Sequence, residues 1–441
     1  MNNEMLLARR RILFAKQSGE MPGMVLLINS PNAGNFSVNT NYGTFTAAKV
    51  SDYPYLGTTV THKLAMRDVA FSTGQRISDD SAVRGLFVGV ESWGISNTYT
   101  NTSSLFYECT NLRGIPSSWE GLGAVTSAVA MFSGCSSLTS IPASWAGLAS
   151  LGDASNMFTN CSSLSSIPAS WEGLVNLTNA SFMFQYCSSL TSIPASWEGL
   201  VNLTNAGWLF DSCRSLTSIP ASWTGLGSLT VAIQMFQYCT ALTSIPSSWE
   251  GLGSLEDASR MFSNCYALEG IPASWEGLAS LTSAYYMFDT CYSLLTSIPE
   301  SWAGLVNLTD AGGMFCNCFA LEGIPASWEG LGSVTNAAAM FSGCMSITSI
   351  PDSWEGLGAL TNAGNMFKGC TSLTNCGTIF TGLSKATNVS YLFYDCTGMQ
   401  GDIHALYGYL STKTIAVSGY LYCFRNCTQA VGYSLIPASW R

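Results

Sequence analysis

Charged side chains, histidines and long apolar runs are all scarce in this chain of 441 residues. Only 10% of its residues are charged, against a usual share of about a quarter, and its two histidines are His62 and His404. Seventeen Lys and Arg against 27 Asp and Glu give a net charge of −10, which disfavours a nucleic-acid-binding surface. No apolar run approaches the roughly 18 residues of a membrane span, so we expect no membrane-spanning segment.

Catalytic motifs are missing as well. The sequence contains no Walker A loop, no dinucleotide fingerprint, no zinc-protease motif and no nucleophile elbow. Serines are abundant in the central region, but no histidine lies there to activate them. We therefore expect a protein that is not an enzyme and that has no cofactor and no metal site.

Residues 1–20 are predicted to form a helix. Its apolar residues recur at helical spacing, at Met5, Ala8, Ile12 and Ala15. Three roles stay open: packing on its own domain, docking or oligomerisation as in a homotrimer, and binding to a membrane surface. The apolar residues precede the charged ones, the reverse of a secretory signal, so no signal peptide is expected.

Residues 21–100 indicate a small β-rich attachment domain. Short apolar or alternating runs at 24–28, 36–38, 45–47 and 86–90 are separated by Asn, Gly, Pro and Ser. The charge balance also changes along the chain. Residues 1–95 hold nine Lys and Arg and seven Asp and Glu, which leaves eight and 20 for the other residues. The excess of acidic residues therefore lies in the second part of the chain.

An internal repeat of 26 residues dominates that second part. Ser-Trp pairs keep this spacing, with one step of 27, at Trp119, Trp145, Trp171, Trp197, Trp223, Trp249, Trp275, Trp302, Trp328 and Trp354. A cysteine keeps the same period at Cys109, Cys135, Cys161, Cys187, Cys213, Cys239, Cys265, Cys291, Cys318, Cys344, Cys370 and Cys396. A fixed period of this length is typical of a solenoid, whose stacked coils bury the apolar side that one coil cannot bury alone.

One coil shows the local structure that we expect. Apolar residues recur at i, i+3, i+4 and i+7, at Ala180, Met183, Phe184 and Cys187. This pattern predicts a two-turn helix with Asn179 as its N-cap. Residues 190–193 then predict a short strand that Pro194 ends. The fold class is thus an α/β repeat, a solenoid over residues 101–373 followed by degenerate repeats and a C-terminal cap over 374–441.

The Met-Phe-x-x-Cys core of residues 183–187, with Leu190–Ala195, resembles the bacterial BspA-type leucine-rich repeat. It is most similar to the 26-residue surface-protein repeat of mycoplasmas. The resemblance covers residues 105–396. It implies a leucine-rich-repeat solenoid and recognition at a cell surface, and it implies no catalytic residues. The Ile-Pro-x-Ser-Trp-Glu-Gly-Leu turn departs from the family pattern, in which this segment is more polar.

The periodic cysteines are predicted to form a ladder of free thiols. They fall on the buried face, one per coil, where a free cysteine packs as a small hydrophobic residue. Neighbouring Cβ atoms would lie about 5 Å apart with parallel directions, which disfavours disulfides. Two close pairs include cysteines that lie off the period, Cys316 with the periodic Cys318 and Cys423 with Cys427. For these we predict ordinary packing, with a local disulfide or an adventitious metal as the alternative.

The outer face of the predicted helix varies from coil to coil, whereas the Thr-Ser dipeptide of the predicted strand hardly changes. Packing does not demand bulky outer residues, because Ala338, Gly312 and Ser181 occupy equivalent places. Exposed aromatic residues with Arg and Asp are typical of interfaces. The candidate ligand-binding residues, here named the recognition strip, are Phe182, Tyr186, Trp208, Asp211, Arg214, Tyr238, Arg260, Tyr266, Tyr285, Tyr286 and Tyr292. The alternatives are a variable surface without a ligand, and binding by the uniform Thr/Ser face.

These features predict a non-enzymatic recognition or adhesion protein whose solenoid binds a cell-surface protein or glycan. The preferred setting is a phage tail fibre or another virion receptor-binding protein. A bacterial surface adhesin and a structural scaffold without a ligand are the alternatives. The expected location is accordingly a virion tail or a bacterial cell surface.

Overall fold

The computed structural model describes residues 24–30, 36–40, 43–49, 60–66, 76–78, 81–84, 86–92, 100–169, 171–194, 198–219, 225–245, 252–271, 278–294, 298, 305–324, 331–350, 357–376 and 382–441. The chain divides into two compact units, one of Met1–Leu190 with Glu198–Val201 and one of Thr191–Trp197 with Asn202–Arg441. The helix predicted over residues 1–20 lies outside the described residues. The domain boundaries predicted from the sequence stay predictions.

The first unit contains a five-stranded antiparallel sheet. Its strands, in the order β2-β3-β4-β1-β5, are β1 (Met24–Ser30), β2 (Phe36–Thr40), β3 (Gly43–Lys49), β4 (Val60–Met66) and β5 (Phe87–Ser92). The four runs predicted as strands are confirmed, and β4 is a strand that the prediction lacks. Short helix α1 (Ser81–Arg84) precedes β5.

The outer edge of β5 is paired with the first coil of the repeat. The Val90 N–H donates to the Gly114 C=O at 3.0 Å, and the Arg113 N–H donates to the Val88 C=O at 2.9 Å. An unpaired strand edge would expose a row of backbone donors and acceptors. The first coil satisfies this edge and joins the sheet to the repeat within one unit.

Each described coil contains overlapping turns in place of the predicted helix. Alternate N–H groups donate to the C=O three residues back, as Met157 does to Ala154 at 3.1 Å. The N–H groups between them donate to the next coil, as Phe158 does to Met183 at 2.9 Å. An α-helix would commit these N–H groups to the C=O four residues back and leave none for the neighbouring coil. The prediction of a short helix per coil is therefore wrong for the described coils.

The predicted strand of each coil is also replaced by irregular backbone in the described coils. The threonines of the predicted strand make one hydrogen bond between successive coils, as from the Thr243 N–H to the Thr217 C=O at 3.4 Å. A row of parallel bridges lies instead just before the turns, as at Asn336 and Asn362. There the Asn362 Nδ2 donates to the Asn336 Oδ1 at 3.0 Å. The strand prediction is wrong because the pairing between coils lies mainly in this bridge row and in the turns that follow it.

The inner side of the coils is a set of side-chain stacks. The apolar residues of the predicted inner face are fully buried, at Ala180, Met183, Phe184 and Cys187. The predicted inner face is therefore confirmed, although its backbone is not helical. Phenylalanine rings of successive coils stack nearly parallel, as in Phe262 and Phe288, with centroids 5.7 Å apart and an interplanar angle of 6°. Such aromatic pairs stabilise the stack beyond the burial of their area.

A glycine in the Trp-Glu-Gly-Leu turn allows successive coils to approach. The turn tryptophans of the first unit, Trp119, Trp145 and Trp171, are buried, and their rings stack with centroids 5.7 Å apart. A Cβ at Gly173 would lie 1.8 Å from the carbonyl carbon of Trp145. Any side chain at this position would therefore push the two coils apart.

Helix α2 (Ile403–Ser411) interrupts the coils near the C-terminal end of the second unit. Asp402 is its N-cap, and the Asp402 side chain accepts hydrogen bonds from the His404 and Ala405 N–H groups. Within the described ranges, no helix is long and apolar enough to cross a bilayer.

Residues 436–441 cover the open side of the coil that precedes them. The Tyr422 and Phe424 N–H groups donate to the Ser439 and Trp440 C=O groups at 3.0 and 2.7 Å. In other coils, the equivalent N–H groups donate to a further coil. The Trp440 ring is buried against Tyr420, with centroids 4.5 Å apart. This segment thus satisfies backbone donors that a further coil would otherwise have to satisfy.

Candidate functional site

Two rows of residues, four positions apart in each described coil, have left-handed backbone. The first left-handed row is Ser104, Ala130, Asn156, Phe182, Trp208, Gln234, Arg260, Tyr286, Gly313, Ala339, Asn365, Tyr391 and Tyr422. The second left-handed row is Glu108, Gly134, Asn160, Tyr186, Ser212, Tyr238, Asn264, Thr290, Asn317, Gly343, Gly369, Asp395 and Asn426. Their φ values lie between 54° and 79°.

Hydrogen bonds between coils hold the first row in this conformation. The Arg260 N–H donates to the Tyr285 C=O, and the Tyr286 N–H to the Gly312 C=O, both at 2.8 Å. Left-handed backbone costs a residue with a side chain roughly 1–2 kcal/mol, and Gly and Asn adopt it most readily. Gly and Asn occur in the same row, yet several coils carry a bulky residue there. Because these residues add a backbone cost, they point to a role beyond packing.

Two residues of the recognition strip belong to the first unit. Phe182 lies in the first left-handed row and is half-buried, and Tyr186 lies in the second and is 45% exposed. Asn179, predicted as a helix N-cap, shapes the turn before them, because its Oδ1 accepts the Ser181 N–H at 3.1 Å. The Asn179 side chain therefore binds a backbone donor as predicted, but in a turn.

The other nine residues of the strip belong to the second unit. Those in the left-handed rows are Trp208, Tyr238, Arg260 and Tyr286, of which Tyr238 is exposed and the other three are half-buried. Four more are exposed beside the rows, at Arg214, Tyr266, Tyr285 and Tyr292. Within this unit, the structure therefore places eight of the nine residues at the surface or partly at it.

Asp211 is the exception, because it is only 4% exposed. Its Oδ1 accepts a hydrogen bond from the Ser212 Oγ at 3.1 Å. The equivalent residue in a later coil, Ser263, is fully buried, and its Oγ donates to the next equivalent, Asp289, at 3.5 Å. This row of polar residues faces the neighbouring coils. The prediction that Asp211 lies on the exposed face is therefore wrong, since its side chain lies inside the stack.

Arg260, Tyr285 and Tyr286 form a cation–aromatic cluster. The Arg260 Cζ lies 4.8 Å from the Tyr286 ring centroid and 5.7 Å from that of Tyr285, and the two rings meet edge to face. Burial raises the pKa of the Tyr286 phenol to about 12. Burial also raises the pKa of Asp289, while Arg260 acts in the opposite direction. The cluster presents an arginine in a stretch, residues 96–356, that holds only three Lys and Arg.

Tyr266, Tyr292 and Phe319 form an exposed stack, here named the aromatic ladder. Their centroids are 5.1 and 4.9 Å apart, and their side chains are 36%, 42% and 37% exposed. Because the ring faces cover one another, mainly edges and tyrosine hydroxyls face solvent. This arrangement favours edge and hydrogen-bond contacts with a ligand over stacking on a ring face. Phe319 extends the predicted strip by one coil.

A polar cleft of about 470 Å³ in the first unit has no counterpart in the sequence-based prediction. Its lining residues are Ser81, Arg84, Glu108, Thr110, Gly134, Ser136, Asn160 and Ser162. Arg84 is buried, and its Nη2 lies 2.9 Å from the Glu108 Oε2. The cleft brings α1 together with three coils. Sequence spacing carries no signal for that contact.

All sixteen cysteines belong to the described residues, and each is a buried free thiol, including the two close pairs. In the coils, the Sγ donates to a phenylalanine C=O of the coil before, as Cys265 does to Phe236 at 3.2 Å. Burial raises the pKa of Cys161 to about 12. A thiol in such surroundings is a poor nucleophile. Across the described ranges, no cluster of three or more His, Cys, Asp or Glu could hold a metal ion.

The coils define a repeat protein with a solenoid-like fold, a period of about 26 residues and little regular secondary structure. The chain matches one family three times, over residues 81–197, 196–302 and 282–406. It belongs to this family, described as Mycoplasma protein of unknown function, DUF285.

Two further comparisons say little more about the chain. No curated protein matches it. Among solved structures, a chain of "Crystal structure of TLR13-ssRNA13 complex" is similar, at 13% identity and a TM-score of 0.17. The match covers 70% of this chain and 44% of that one, so this chain spans less than half of that relative. At this TM-score the likeness supports no inference about a ligand.

Proposed function

We propose that the chain is a non-enzymatic recognition protein whose recognition strip, without Asp211, binds a cell-surface protein or glycan. One observation carries the proposal: Phe182, Trp208, Arg260 and Tyr286 all occupy left-handed positions. Glycine or asparagine would relieve the backbone there, as in other coils of the same rows, so the bulky side chains are best explained by binding. Aromatic residues and arginine are also the residue types that dominate binding energy at interfaces.

We also propose that the coils are a variant of the BspA-type leucine-rich repeat. Leucines at fixed places of each coil support this relation, and Leu177, Leu190 and Leu203 are fully buried. In this variant, overlapping turns and single bridges replace the short helix and the short strand of the family pattern. A recognition surface on the turns then presents one or two side chains per coil.

A phage tail or another virion structure is the setting that we prefer, and a bacterial surface adhesin is the alternative. Both settings present the coils to a cell, so the same experiment applies to both. Labelled protein is incubated with a panel of bacterial strains, and bound protein is measured by flow cytometry. A strip variant combines Trp208→Asn, Tyr238→Asn and Arg260→Asn. Asn already occupies the same rows in other coils, so we expect this variant to fold.

The matched control combines Ser104→Asn, Ala130→Asn and Ala339→Asn, which place the same residue in the first left-handed row outside the strip. We expect the wild type and the control to bind the same few strains. The amount of bound strip variant should be at least tenfold lower. Equal binding by the strip variant would contradict the proposal that the recognition strip binds the ligand. It would favour binding by the uniform Thr/Ser face. Binding to no strain by the wild type would favour a structural scaffold.

A further inference from the structure

Residues 357–441 are basic in an otherwise acidic repeat region. They carry five Lys and Arg and two Asp, whereas residues 96–356 carry three Lys and Arg and 18 Asp and Glu. A change of sign along one chain is a physical signal of a charged partner. The recognition strip does not include this region, so a ligand of this region is independent of the proposed function.

Two of these cations converge on three tyrosines. The Lys368 Nζ lies 5.3 Å from the Tyr394 centroid and 6.0 Å from that of Tyr391. The Arg425 Cζ lies 4.8 Å from the Tyr422 centroid and 5.8 Å from that of Tyr394. Tyr391 packs against both other rings, with centroid distances of 5.4 and 5.7 Å. Both cations thus flank the same tyrosine ring.

The cluster has features of a binding surface. Lys368 and Arg425 are exposed, and within the described ranges neither has a carboxylate oxygen within 4.0 Å. The nearby Asp395 carboxylate instead accepts the Asn426 Nδ2 at 2.5 Å. Tyr391 and Tyr422 have φ of 58° and 55°, in the first left-handed row. Two exposed positive charges and two tyrosines with left-handed backbone therefore meet in one place, where an anion would pair with the cations.

We propose that Lys368, Arg425 and the three tyrosines bind a saccharide that carries one anionic group, a carboxylate or a phosphate. The two cations would hold the anion, and the tyrosine rings and hydroxyls would contact the sugar. A polyanion is disfavoured, because residues 96–356 hold 15 more acidic than basic residues and two cations neutralise one or two charges.

The test measures binding to the full chain by isothermal titration calorimetry. The probes are 3′-sialyllactose for a carboxylate, glucose 6-phosphate for a phosphate, and neutral lactose, inorganic phosphate and a 20-nucleotide oligothymidylate as comparisons. The test variant is Lys368→Gln with Arg425→Gln. The control is Lys385→Gln with Lys413→Gln, which removes the same charge elsewhere in the basic region. All these side chains are polar and lie outside the apolar core, and near-ultraviolet circular dichroism checks the fold.

We expect at least one anionic saccharide to bind with a Kd below about 1 mM, and lactose not to bind. The test variant should weaken binding at least tenfold, and the control less than twofold. No saccharide binding by the wild type, or equal losses in both variants, would overturn the proposal. Inorganic phosphate or the oligonucleotide binding as tightly as the saccharides would overturn it as well, because the ligand would then be an anion without a sugar requirement or a polyanion.

Discussion

The ring of Tyr286 lies against the backbone of Gly313 in the next coil. A Cβ at Gly313 would fall 2.6 Å from two atoms of this ring, and Gly313 has a φ of 61°. The glycine therefore serves two purposes: it adopts left-handed backbone without strain, and it leaves room for the tyrosine. The cation–aromatic cluster of Arg260, Tyr285 and Tyr286 depends on this gap.

We expect Gly313→Ala to lower the free energy of unfolding by about 2–3 kcal/mol, through overlap with the ring and left-handed strain. Adding Tyr286→Ala should recover the part that is due to overlap, so the two changes should not be additive. Thermal unfolding of both single variants and the double variant measures the coupling. Strictly additive effects would show that the ring does not occupy the space above Gly313.

The period, the inner face and much of the sheet were predictable from the sequence, because side chains that face a common core recur wherever the chain returns. The backbone of the coil was not. Met183, Phe184 and Cys187 have helical spacing because they face inward, and overlapping turns give the same spacing. Backbone hydrogen bonds between coils, such as that from Phe158 to Met183, decide between a helix and overlapping turns. They join residues 25 positions apart, so local spacing does not reveal them.

The candidate sites likewise contain some features that the residue pattern predicts and others that depend on contacts between coils. The exposure of Tyr186 and Tyr238 follows from variation between coils, but the burial of Asp211 depends on contacts with neighbouring coils. The cluster of Lys368 and Arg425 joins residues 57 positions apart. Only the charge count of residues 357–441 carries a signal for it.

The left-handed rows predict an unusual response to glycine. Ala339 has a φ of 57°, so Ala339→Gly should raise the stability by about 0.5–1 kcal/mol, the relief of left-handed strain less the added freedom of the unfolded chain. Ala337, two residues earlier, is fully buried, and Ala337→Gly should lower the stability. Urea unfolding compares the two variants. A loss of stability in both would count against left-handed backbone at Ala339.

The Trp-Glu-Gly-Leu turn predicts a large effect of one methyl group. Gly173→Ala should cost about 3 kcal/mol or more, because the new Cβ would overlap the backbone of Trp145 and force the coils apart. Gly123 lies in the same unit, and a Cβ added there would have no heavy atom within 4 Å, so Gly123→Ala should stay within about 0.5 kcal/mol of wild type. Differential scanning calorimetry checks both. Similar melting temperatures would mean that the coils can separate without penalty.

The thiol ladder predicts that stability falls steeply at alkaline pH. Burial raises the pKa of Cys161 from 9.0 to about 12 and raises that of Cys187 well above 9.0. The folded chain thus keeps these protons when the unfolded chain releases them. Stabilisation is complete below pH 9 and is lost as the pH rises toward 12, by roughly 1 kcal/mol per thiol per pH unit.

Urea midpoints between pH 7 and 10.5 measure this loss. In the double variant Cys161→Ala, Cys187→Ala, the slope of the free energy of unfolding against pH should correspond to about two fewer protons released on unfolding. The same burial should keep the native thiols unreactive toward Ellman's reagent at pH 8, whereas all sixteen should react after denaturation. An unchanged slope in the double variant would place the alkaline sensitivity elsewhere. Rapid reaction of the native protein would show that the coils open often enough to expose the ladder, because a buried thiol reacts only from an open state.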